Sequence, residues 1–195
     1  VQFRFAFVTD GEGLKVLDLT TPGDPALVPD ASLAIGPCHD VYLARTWAYV
    51  SAGSKGLVVV DVTQPHAPRI DQTFTADGKL DDVRMTRVAM TNASLFAYVA
   101  DGRNGLRVLQ LTSPDSVPGY MGFSPRPAPE LIATYPTPKP ALALSKPLDR
   151  DRGVDESGNQ LSVFGRIGAR PFNLEEQRRM YVRDGRLFTV TDQPK

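Results

Sequence analysis

The sequence predicts an all-β protein of the β-propeller class. Three observations carry that expectation: one phrase is written three times, the copies are nearly evenly spaced, and each copy brings about four strand-like runs. "FAFVTDGEGLKVLDLTTP" begins at Phe5, "WAYVSAGSKGLVVVDVTQP" at Trp47 and "FAYVADGRNGLRVLQLTSP" at Phe96. Phe7 and Tyr49 stand 42 residues apart, and Tyr49 and Tyr98 stand 49 apart. Self-similarity at that period, with four strands per unit, marks blades that can hide their apolar flanks only against one another.

Each copy opens on alternating residues: Phe5-Ala6-Phe7-Val8, Trp47-Ala48-Tyr49-Val50 and Phe96-Ala97-Tyr98-Val99. Strand side chains alternate between faces, so the aromatics share one face and the Ala/Val pair the other, where a neighbouring sheet can come close. A glycine-bearing turn follows, with Gly11, Gly53 and Gly102 placed where a tight reversal wants positive φ. The returning strands, Leu14 to Leu19, Leu57 to Val62 and Leu106 to Leu111, are apolar on both faces, as in a core sandwiched between sheets. Pro22, Pro65 and Pro114 end them, since proline cannot donate to a ladder. Asp18 and Asp61 close the first two returning strands, with Gln110 in the third, and their expected role is to bind backbone amides at the corner. Upstream runs "HDVYLA" (His39 to Ala44) and "DDVRMTRVAM" (Asp81 to Met90), with outgoing runs "ALVPDASL" and "RIDQTF", complete the units.

After Pro114 the pattern degenerates. Eight prolines between Pro114 and Pro140 predict an extended crossing or external loop in place of regular sheet. A worn blade is expected over residues 140–192: "ALALSK" stands where "HDVYLA" stood, "NQLSVFG" where "GLVVVDV" stood, and Asp184-Gly185 sits between apolar arms as a hairpin signal. Asn173 with Glu176 marks a short helix start. The expected organisation is a propeller domain or segment over 1–195, with repeats near 5–30, 39–75 and 82–114 and about four to five blades in all. That count allows a self-closed ring of four; the preferred reading is part of a ring of six to eight, completed upstream or on another chain, because open blade edges invite sticking.

Lysine plus arginine number 22 and aspartate plus glutamate 22, so no net field draws the chain to nucleic acid or an anionic membrane. No apolar run reaches membrane-span length, and nothing resembles a signal peptide. The chain starts at Val1, inside a strand-like run, which suggests a mature or cut segment of a longer polypeptide.

The phrases "AYVADG…GLRVLQLTSP" and "GLVVVDVTQP" resemble the LVIVD-repeat family, a β-propeller repeat of bacterial and archaeal proteins. The resemblance covers about residues 5–22, 39–65 and 82–114, where turn glycines, the GL pair, D-V and proline keep their order. It implies a propeller fold, an extracytoplasmic or cell-surface setting, and residence within larger multidomain proteins, some beside cytochrome domains carrying several haems.

Two places hold side chains suited to chemistry. Cys38-His39 resembles the end of a haem-attachment motif, but Ile35 holds the first cysteine's place; Cys38, His39 and Asp40 as a metal site lack a fourth ligand, the other histidine being His66. The plainer alternative is a small buried thiol beside a polar strand-edge histidine. "DRDRGVDESGN" places Asp149, Asp151 and Asp155 at relative positions 1, 3 and 7, a density of oxygens that calcium favours. Against calcium, Gly153 stands where a further carboxylate belongs, and Arg150 and Arg152 can neutralise the acids. No nucleophile elbow or triad spacing is present, which points away from an enzyme acting alone. The expected function is a non-catalytic structural and protein-interaction module, its partners other domains of its own polypeptide or a co-assembled subunit. The alternative is a propeller domain or subunit of a multihaem cytochrome-type oxidoreductase, with His39 and His66 as candidate axial donors.

Overall fold

The computed structural model describes residues 4–90, 95–113, 116 and 124–145, and further on 166–167, 170–171, 175, 182–183 and 186–187. The chain divides into two compact units, Val1–Pro147 and Leu148–Lys195. In the first unit, strands β1 (Phe5–Thr9), β2 (Leu14–Asp18) and β3 (Ala26–Leu27) form one antiparallel sheet. A second sheet runs β4 (Asp40–Ala44), β5 (Trp47–Ser51), β6 (Leu57–Asp61), β7 (Arg69–Phe74). The third runs β8 (Met85–Met90), β9 (Leu95–Ala100), β10 (Leu106–Thr112), β11 (Glu130–Tyr135). Each is a simple antiparallel meander in chain order, the form of a propeller blade. We call them blades 1, 2 and 3.

Alternation within strands decides how the blades stack. In blade 2, Tyr42 pairs across from Tyr49 and Tyr49 from Val59, so these share a face; Val50 pairs with Val41 and Val58 on the other. Ala48, Val50, Val58 and Val60 pack against Phe5, Phe7, Leu14 and Val16 of blade 1. Trp47, Tyr49, Leu57 and Val59 pack against Leu95, Ala97, Val99, Leu109 and Leu111 of blade 3. At both junctions an aromatic face meets an Ala/Val face, as the sequence predicts. Tyr49, Val50, Leu57 and Val59 are wholly buried, and each such side chain contributes roughly 1.5–3 kcal/mol by leaving water. The stack is therefore held by flanks that only siblings can cover.

A repeated latch joins successive blades. The Gly53 N–H donates to the Val83 carbonyl (3.0 Å) and the Val83 N–H to the Gly53 carbonyl (3.1 Å), tying the β5–β6 turn to the start of blade 3. Gly102 and Ala141 make the corresponding bridge one blade on. Next to that bridge the Leu144 N–H donates to Met85 Sδ at 3.1 Å, and the described residues 142–145 form no strand. Gly53 (φ 55°) and Gly102 (φ 41°) adopt the positive φ predicted for them. Gly11 does not; the positive-φ glycine of the first turn is Gly13 (φ 151°), the equivalent of Gly56 (φ 81°) and Gly105 (φ 82°) before the returning strands. The first turn is one residue shorter, and the Asp10 carboxylate closes it by accepting the Glu12 and Gly13 amides at 2.8 and 3.0 Å. A side chain at Gly13 would run into the Leu33 backbone. The corner aspartates act as predicted: Asp18 accepts the Thr20 amide at 2.7 Å and Asp61 the Thr63 amide at 2.8 Å.

The expectation for the proline-rich stretch needs correction. Glu130–Tyr135, inside it, is the regular fourth strand of blade 3, pairing with β10 around a bulge between Val108 and Leu109. An edge strand tolerates flanking prolines because one of its sides needs no donors. Residues 124–129 fold back onto blade 2. Pro125 and Pro127 are buried, Ser124 Oγ and Thr46 Oγ1 share a hydrogen bond at 2.5 Å, and Gln72 Nε2 donates to the Pro127 carbonyl at 2.7 Å. The described part of this stretch is thus a strap across the molecule's own blade.

In the second unit, β12 (Arg166–Ile167) pairs with β13 (Arg170–Pro171), and β14 (Val182–Arg183) with β15 (Arg186–Leu187). The arms that flank Asp184-Gly185 pair as predicted, with Arg183 opposite Arg186. "NQLSVFG" and the short helix start at Asn173 lie outside the described residues, apart from Glu175, which is helical. Among the described residues no helix is long and apolar enough to cross a membrane.

Candidate functional site

The strands β4 and β8 lie against each other, and β1 lies against β4. Asp40 at the start of β4 accepts from Arg87 NH1 (2.8 Å) and from the Thr86 amide (3.2 Å), fastening the two inner strands together. Arg87 also stacks over the Tyr42 ring at 5.6 Å. Beside them Ser51 Oγ and Thr86 Oγ1, both fully buried, satisfy one another at 2.9 Å.

His39 and Arg84 each stand one residue before an inner strand, at equivalent positions in the repeat. The latching turns gather at the same end, so charged residues from three loops converge on a hollow of about 330 Å3. His39, Gly53, Lys55, Asp81, Asp82, Arg84 and Arg103 line it. Asp82, only 9% exposed, accepts from Arg84 Nε (2.7 Å) and from the Arg103 backbone N–H (3.0 Å). Its own amide donates to Asp101 Oδ1 at 2.9 Å. Asp81 accepts from Asn104 Nδ2 (2.6 Å) and Arg103 NH2 (2.7 Å). Asp101, fully buried, lies 3.4 Å from Arg107 Nε.

The protonation balance follows these contacts. Burial pushes the Asp82 pKa up, but the Arg103 N–H and the Arg84 guanidinium outweigh it and leave the group below its ordinary value. Asp81 is lowered by the Asn104 amide and Arg103, and Arg103 is raised in return by Asp81. Both carboxylates are therefore ionised and matched to a guanidinium. The Lys55 ammonium differs: it donates to the Ile35 carbonyl, and among the described residues it has no carboxylate partner.

Of the residues singled out in the sequence, His39 and Cys38 both lie beside this hollow, His39 in its lining. Arg84 NH1 stands 3.4 Å from His39 Nε2. A guanidinium can only donate, so in this long contact Nε2 is the accepting atom. Cys38 is buried, its thiol reaches the Gly36 carbonyl at 3.2 Å, and burial raises its pKa. That is the surrounding of an inert thiol. His66 sits elsewhere, edge-on to Phe5 with ring centroids 4.9 Å apart. Among the described residues no three His, Cys, Asp or Glu side chains gather as metal ligands. Asp149, Asp151 and Asp155, the calcium candidates, lie outside the described residues.

Lys55, Arg84 and Arg103 were not picked out by sequence reasoning. A usable signal existed: each stands next to a repeat landmark, Lys55 and Arg103 in the turns after Gly53 and Gly102, and Arg84 where the previous unit has His39.

The family model of the LVIVD repeat matches residues 35–75 and 95–123. The first match spans β4 to β7, the whole of blade 2, and the second takes in β9 and β10 of blade 3. No curated protein and no solved structure matches the chain.

Proposed function

We propose that this chain, with LVIVD repeats in its second and third blades, is a non-catalytic propeller segment. It serves as a structural and protein-interaction platform within a larger extracytoplasmic or cell-surface protein. Its partners are other domains of the same polypeptide or a co-assembled subunit. The setting outside the cytoplasm rests on the family resemblance alone.

The observation that carries this reading is the inward edge of β1. In blades 2 and 3 the second strand, β5 or β9, is covered by an inner strand, β4 or β8. Among the described residues β1 pairs only with β2. Its other edge offers backbone donors and acceptors to one more strand, a template that proteins seldom leave uncovered. A second surface supports it. Phe96 and Tyr98 of blade 3 are half-buried, on the kind of face that blades 1 and 2 press against a following sheet. A strand from a partner at β1 and a further sheet at blade 3 would extend the stack into a ring.

Hydrogen–deuterium exchange tests the reading. Inward-pointing amides of residues 5–9 should exchange within seconds in the isolated chain and become protected in the assembly isolated from the organism that makes it. Equal, fast exchange in both would refute it.

The competing reading, a haem-bearing electron-transfer subunit, would use His39 or His66 as axial donor. Arg84 at the His39 lone pair and Phe5 against His66 argue against it. A pyridine haemochrome spectrum decides: a Soret band that disappears in His39→Ala would overturn the platform reading.

A further inference from the structure

The hollow between blades 2 and 3 has a charge balance that selects a ligand. Arg84 is matched by Asp82 and Arg103 by Asp81, leaving Lys55 as the cation without a carboxylate partner among the described residues. An ammonium has three donors and Lys55 spends one on the Ile35 carbonyl, so two remain. Arg84 NH1 faces the hollow beside His39 at 3.4 Å, a long contact that leaves donor capacity unused.

From this we infer that the hollow is a receptor for one carboxylate group, carried on a partner polypeptide as an Asp or Glu side chain. This rests on the platform reading above and names the chemistry of the contact. A monoanion suits one surplus positive charge, whereas a phosphate dianion would also meet Asp81 and Asp82 on the same walls. Lys55 and its neighbour Ser54 are exposed, and an exposed ion pair alone is a weak contact. A free small acid would therefore be held poorly. A carboxylate on a polypeptide gains from the contacts that flank it, with room for one side chain in about 330 Å3.

The test is a titration of the 15N-labelled full chain, followed by amide shifts, with N-acetyl-Ala-Glu-Ala-amide, its Gln counterpart, acetate and inorganic phosphate. The Glu peptide should move the amides of residues 53–55, 84 and 103 saturably, and the Gln peptide should not. Lys55→Gln should weaken the Glu peptide at least five-fold and Lys55→Arg should keep most of the affinity. Lys55 is exposed in a turn, so both variants keep the fold. Equal shifts from the Gln peptide, an unchanged titration in Lys55→Gln, or stronger shifts from phosphate would each overturn the inference. Acetate matching the Glu peptide would overturn its polypeptide source. Failure here with protected β1 amides in the assembly would leave the platform reading standing.

Discussion

Alanine at the three turn glycines should give three different outcomes, although the repeat writes them at one position. Gly102 has φ 41°, and a Cβ there would run into the Asp82 carboxylate. Holding alanine in the left-handed region costs roughly 1–2 kcal/mol. Moving Asp82 off the Arg103 N–H leaves a part-buried donor unpaired, adding roughly 1–3 kcal/mol. A loss of roughly 0.4–1 kcal/mol in unfolded-chain freedom works the other way. Gly102→Ala should therefore lose roughly 2–4 kcal/mol, and for a chain of this size Tm should fall by roughly 5–15 °C. Gly53 has φ 55° and its Cβ would come within 3.2 Å of His39 Nε2, a ring that can tilt. Gly53→Ala should lose roughly 1–2 kcal/mol, mostly from the backbone. Gly11 is outside the positive-φ set and a Cβ there meets nothing within 4 Å. Gly11→Ala should be neutral or gain up to about 1 kcal/mol through the unfolded chain. Urea unfolding monitored by tryptophan fluorescence, with thermal scans beside it, gives the order. Gly11→Ala losing as much as Gly102→Ala, or Gly102→Ala losing under about 1 kcal/mol, would refute the reasoning.

Other consequences are open to the same measurements. Tyr49 is fully buried with a hydroxyl that has no partner among the described residues, so Tyr49→Phe should be neutral or stabilising by up to about 1 kcal/mol, while Tyr49→Ala should lose roughly 3–5 kcal/mol. A loss above about 2 kcal/mol in the phenylalanine variant would mean the hydroxyl is satisfied by water. Thr86→Val strands the buried Ser51 hydroxyl and should lose roughly 1–3 kcal/mol, and adding Ser51→Ala should recover most of it; a double-mutant cycle without coupling would dismiss the pair. Asp10 is held down at about 2, first by Lys15 and then by the Glu12 and Gly13 amides. A depressed carboxylate stabilises above its unfolded value of 3.8 and loses that contribution as pH falls toward about 2, so acid unfolding should steepen there and be shallower in Asp10→Asn. The Arg126–Asp71 pair is largely exposed on the arginine side, so Arg126→Ala should change stability by under about 0.5 kcal/mol, with the strap still held by Pro125 and Pro127.

Much of the fold was legible in the chain because its rules are local. Alternation in Trp47-Ala48-Tyr49-Val50 specifies two faces, and the observed cores take one set each. Asp18 and Asp61 reach amides two residues away, a distance that sequence spacing alone measures. Local cues also misled. Prolines around Glu130–Tyr135 suggested a loop, yet β10 supplies the ladder from one side and an edge needs no other. Gly11 looks like its counterparts in the sequence, but its turn is one residue shorter and the Asp10 carboxylate closes it, so no positive φ is needed there.

The sequence by itself determined the meander, its faces, its corners and the repeat written into blades 2 and 3, because strand periodicity and turn chemistry act over a few residues. Only the tertiary structure decided the hollow. Lys55, the Asp82 and Arg84 pair, and Arg103 come from three separate loops, and the latch from Gly53 to Val83 ties the first of these loops to the second. Which charge there is matched and which is left over depends on distances between blades, and no spacing along the chain encodes them.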